Sequence, residues 1–134
     1  MRWLETLPPG KERDDGVLET FRHWMIVDRP AARSWMEQTP HEPWLDPAVS
    51  IYAKSLGRQD PLAALEVAAV IRDPEIRLPA MGAIAREWLV RDEAAANAWL
   101  DASDLPPDFI TRIRTIPPRL REAIEQSASD APAQ

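Results

Sequence analysis

Apolar residues recur along this chain at helical spacing. Val17, Phe21 and Trp24 fall on one face of a helix, as do Met81, Ile84, Ala85 and Trp88. The pattern predicts a short helix near residues 2–7, then helices near 15–27 and 29–39, 47–58 and 60–71, 79–91 and 93–102, and finally 107–115 and 117–128. Prolines punctuate it, because proline suits the first turn of a helix and breaks its interior. Fourteen prolines therefore imply many short helices.

The same pattern repeats. The run HWMIVDRPAARSWMEQTP from His23 aligns with SLGRQDPLAALEVAAVIR from Ser55 and with EWLVRDEAAANAWLDASD from Glu87, in steps of 32 residues. The aligned columns are Trp24, Leu56 and Trp88; Asp28, Asp60 and Asp92; Ala32, Ala64 and Ala96; and Trp35, Val67 and Trp99. Each unit reads as a helix A, an aspartate placed to cap the next helix, and a helix B whose alanines allow close approach to A. One layer cannot bury such a face alone, whereas stacked layers can.

The expectation is an all-α chain, an α-solenoid of stacked antiparallel helix pairs in a right-handed superhelix. A single domain over 1–128 is expected, with an incomplete repeat at 1–14, repeats at 15–46, 47–78 and 79–106, a C-terminal cap at 107–128 and a disordered tail at 129–134. One period before Trp35 stands Trp3, so the incomplete repeat is expected to leave an apolar end around Trp3 and Leu4 that self-associates or is covered by preceding residues.

The segment DRPAARSW, between Trp24 and Trp35, resembles the turn into helix B of the tetratricopeptide repeat, and Ala32, Ala64 and Ala96 match that family's small crossing residue. The chain thus resembles bacterial tetratricopeptide-like helical-hairpin proteins over residues 15–102, with a 32-residue step in place of about 34. HEAT-like stacking is the rival. The resemblance implies that A helices line a concave groove.

Composition narrows the function. Acidic residues outnumber basic ones by 22 to 16, for a formal charge of −6, and no dense basic patch marks a nucleic-acid ligand. No apolar run reaches the roughly 18 residues of a membrane span. The first residues lack a secretion-signal pattern, which favours the cytoplasm. Cysteine is absent, so neither disulfides nor thiolate chemistry is open to the chain.

No motif for catalysis, metal or cofactor is recognisable. His23 and His41 lack the convergent partners that a metal or acid–base site needs, although His41 stands beside Glu42. The four glycines form no phosphate loop. Periodic tryptophans read as core, since their columns also accept leucine and valine. Glu5, Glu37 and Asp101 share a column that reads as solvated surface.

Two features point to a partner. Trp44 lies in a proline-bounded loop outside the columns and is expected to be exposed. Arg22, Lys54 and Arg86 form a column that is basic in every full repeat, suited to carboxylates of a bound peptide. Ser50 and Gly82, one turn before Lys54 and Arg86, are expected to leave room for it. The function that follows is a non-catalytic scaffold or adaptor holding a peptide or helix of another protein. The alternative is a small acidic inhibitor or immunity-type protein that masks a basic partner.

Overall fold

A computed structural model describes Thr6, Pro8 and residues 10–130, with side chains to residue 127. The described residues form eight α-helices and no strand: α1 Lys11–Val27, α2 Arg29–Gln38, α3 Asp46–Leu56, α4 Pro61–Ala69, α5 Pro74–Arg91, α6 Glu93–Ala102, α7 Pro107–Arg114 and α8 Pro118–Asp130. A 3-10 turn, Pro43–Leu45, precedes α3. None of these helices is long and apolar enough to cross a membrane. The helix expected near 2–7 and the apolar end at Trp3 and Leu4 lie outside the described residues.

The three aspartates of the repeat build the same corner. Asp28, Asp60 and Asp92 accept hydrogen bonds from the amides of Ala31, Ala63 and Ala95 at 3.2, 3.1 and 3.3 Å. Their backbones agree, with φ/ψ of −150/79°, −143/87° and −150/81°. Each also donates its own amide to the preceding helix, to the carbonyls of Trp24, Leu56 and Trp88. One residue thus ends helix A and starts helix B, satisfying end groups of both. Replacing Asp92 by Ala is expected to cost about 1 kcal/mol, read as a lower urea midpoint with an unchanged slope.

Burial follows the 32-residue step as well. Positions 17, 49 and 81 are buried, and so are 21, 53 and 85; 25, 57 and 89; 32, 64 and 96; and 36, 68 and 100. The alanines at 32, 64 and 96 are wholly buried, as a close crossing requires. The tryptophans sit beside these columns and are half-buried. Trp24 and Trp35 pack with ring centroids 5.7 Å apart, and Trp88 and Trp99 at 6.5 Å.

The chain divides into two compact units at Met81–Gly82, within α5. In the first, α1 packs on α2 and α3, and α3 on α4. In the second, Ala85, Leu89, Ala96, Leu100 and Ile113 form the core, flanked by Trp88, Trp99 and Phe109.

Two boundaries depart from expectation. Helix α5 starts at Pro74, not near 79, because Asp73 caps it by accepting the Glu75 amide at 2.9 Å. Pro79 therefore lies inside the helix, where it can donate no backbone hydrogen bond. At the other end α8 continues to Asp130, so residues 129 and 130 of the expected disordered tail are helical. Residues 131–134 lie outside the described residues.

Candidate interaction site

Three helices of the first unit enclose an open cleft of about 560 Å³. Its wall from α1 carries Lys11, Asp14, Asp15 and Leu18, whose spacing of three and four places them on one face. Pro47, Ser50 and Lys54 do the same from α3, and Glu75, Ile76 and Pro79 from the first turns of α5, with the capping Asp73 beside them. Leu18, Pro47, Ile76 and Pro79 supply apolar surface between charged groups of both signs.

Carboxylates dominate the electrostatics. Burial pushes the Asp14 carboxyl above its ordinary value of 3.8; Arg13 opposes this, and the charges of Asp73, Asp46 and Asp15 add to it. Beneath the cleft rim Asp46 is almost wholly buried. One of its oxygens accepts the Asp73 amide at 3.2 Å, and the other lies 3.1 Å from Nε2 of His41, off the line of a hydrogen bond. The partner of His41 is therefore Asp46, five residues on, and not the adjacent Glu42. Lys11 pairs with Asp15 at 3.5 Å on the exposed surface, a contact of small energetic weight.

A carboxyl whose pKa is raised by folding weakens the folded state once it is ionised. Its stabilising effect is present at low pH and is lost as pH rises from 3.8 through the raised value. Asp14→Asn is accordingly expected to raise the melting temperature at pH 7, with the difference vanishing towards pH 3, where the native carboxyl is protonated too. Thermal melts across that range check it.

The basic column meets three different surroundings. Arg22 is exposed and donates to Glu19 on its own helix at 2.6 Å. Lys54 is exposed on the wall of the cleft. Arg86 is half-buried in the second unit, where its Nη2 donates to the carbonyl of Arg112 at 3.1 Å. The expected room is present beside Lys54, where Ser50 lines the cleft, and filled beside Arg86. Ser50 is buried with its hydroxyl donating to the Pro47 carbonyl, and a Cβ on Gly82 would lie 3.2 Å from the Phe109 ring.

Trp44 is corrected outright. It is buried, only 9% exposed, because the 3-10 turn folds it inward and Glu42 accepts its indole N–H. The acidic column is also more than solvated surface. Glu37 accepts the phenol of Tyr52, whose pKa is raised by burial and then by that carboxylate, and Asp101 accepts from Arg114. Each ties the end of a B helix to a later helix. Glu5 lies outside the described residues.

Of the cleft residues only Lys54 and Ser50 were singled out in the sequence. The signal for those on α3 and α5 is the aspartate–proline pairs at 46–47 and 73–74, which mark where these helices begin, although only Asp73 caps its helix and Asp46 lies inside α3. Among the described residues no group of three or more histidine or acidic side chains is arranged to hold a metal ion. Compared with protein-family models, with curated proteins and with solved structures, the chain matches none of them.

Proposed function

We propose that this protein is a non-catalytic interaction module, a tetratricopeptide-like or HEAT-like solenoid of stacked antiparallel helix pairs with a right-handed superhelix, that holds a segment of another protein. The cleft between α1, α3 and the start of α5 carries this reading, since it combines concavity, apolar surface and charged groups from three helices. Support for the repeat comes from the three aspartate corners of common geometry and from the burial columns that recur every 32 residues. Lys54 is the member of the basic column that faces this cleft; Arg22 pairs with Glu19, and Arg86 belongs to the second unit.

A photo-cross-linking side chain placed at Lys54 or Ile76 in the living cell tests the proposal. One discrete adduct from these two positions, and none from exposed Ser34 on α2, is the expected result. Equal labelling from Ser34, or no adduct from either cleft position, ends the reading.

The second reading, an acidic protein masking a basic partner, draws on Asp14, Asp15, Asp73 and Glu75 around the same cleft. It requires that salt raised before irradiation suppress the adduct and that Asp73→Lys abolish it while Lys54→Glu strengthens it.

A further inference from the structure

The second unit holds a concentration of arginine of which, among the described residues, only Arg114 has an ion pair. From Phe109 to Arg121 the chain carries four arginines and no acidic residue, within a protein of charge −6. All four are exposed. Arg114 is accounted for, because it donates to Asn97 at 3.1 Å and to Asp101. Arg112 is not paired with Asp108 one turn before it, and lies instead over the Phe109 ring, 5.7 Å from its centre. Arg119 and Arg121 have no ion pair among the described residues. They occupy the first turn of α8, the end of a helix where positive charge is unfavourable.

Arg86 adds a fifth cation at the same place. Its hydrogen bond to the Arg112 carbonyl brings its guanidinium to the end of α7, and among the described residues no carboxylate pairs with it and its buried Nε has no hydrogen-bond partner. A half-buried guanidinium whose one partner is a neutral carbonyl keeps its full charge beside Arg112. Folding has gathered like charges here with the carbonyl end of α7, and no carboxylate, to offset them.

We propose that the α7–α8 corner, formed by Arg86, Arg112 and Arg119, is a docking surface for an acidic segment of a partner protein. Guanidinium groups suit carboxylates because they offer two parallel donors. The short span and the net negative charge of the chain favour a brief acidic peptide over a nucleic acid, whose extended charge the rest of the surface would repel. This surface belongs to the second unit, so its failure in a test would leave the cleft proposal standing.

Titrating the full chain with N-acetyl-hexaglutamate amide, followed by amide chemical shifts, tests it. The expected shifts centre on residue 86 and residues 109–121, and Arg112→Gln with Arg119→Gln weakens binding at least tenfold while the melting temperature holds. Arg121→Gln, on the side of α8 opposite Arg119, leaves binding unchanged. Arg22→Gln, a paired surface arginine, leaves binding unchanged. Absence of shifts, shifts spread over every arginine, or equal weakening by Arg22→Gln overturns the proposal. Tighter binding of a six-nucleotide single-stranded DNA than of the peptide overturns the acidic-peptide assignment.

Discussion

Replacing Phe21 by Ala is expected to remove about 3–5 kcal/mol of stability, the largest loss among single truncations in the first unit. The side chain is wholly buried, and Trp24 and Trp35 stand around it at 6.3 and 6.5 Å between ring centroids. One period on, the same column holds Ala53 and Ala85. The first helix pair therefore fills with a phenyl ring a position that the others fill with a methyl group. Urea denaturation followed by tryptophan fluorescence gives the loss. A change below about 1 kcal/mol would show that the ring is not packed as described.

In the second unit the corresponding test is Leu100→Ala, for which a loss of about 2–5 kcal/mol is expected. Leu100 is wholly buried in the cluster with Leu89, Ala96 and Ile113. Its cavity would be lined by α6, α7 and the end of α5, three elements whose backbones are held by the Asp92 corner and by the Arg114 bonds to Asn97 and Asp101. Collapse into the space is thus restricted. At roughly 4 °C per kcal/mol for a chain of this length, the melting temperature should fall by about 8–20 °C. Trp99→Ala should cost less than the about 3–5 kcal/mol of a fully buried tryptophan, since that indole is half-exposed. Calorimetry of the two variants side by side separates the cases.

The contrast between Trp99 and Leu100 shows where reading the sequence was sufficient and where it was not. The doublet Trp-Leu repeats with Trp35-Met36, and periodicity marks both positions as apolar. It does not say which of two adjacent residues points inward, because a helical face is wider than one column. Tryptophan drew the core assignment through its size; the structure seats Met36, Ala68 and Leu100 at the centre and leaves the indoles on the flank.

The candidate sites were less legible still. The column Arg22, Lys54 and Arg86 is regular in sequence, but a charged side chain takes whatever counter-group its surroundings offer, and those surroundings differ at each step. Glu19 is specific to α1, and the Arg112 carbonyl is supplied by a helix outside the repeat pattern. Trp44 was read as exposed because loops usually are; Glu42 supplied the acceptor that lets an indole N–H be buried. The pairing of His41 with Asp46 depends on the fold of the intervening turn.

What the sequence determined by itself was local and periodic: helix spacing, the aspartate caps at 28, 60 and 92, and the alanine crossings at 32, 64 and 96. These rest on interactions within a few residues, on hydrogen bonds from one turn and on a side chain too small to obstruct its neighbour. Only the tertiary structure decided the cleft formed by Asp14, Lys54 and Ile76 and the arginine corner of α7 and α8. Both are assembled from residues far apart in the chain or from charges left without partners, and neither distance in space nor the absence of a counter-charge is written in local sequence.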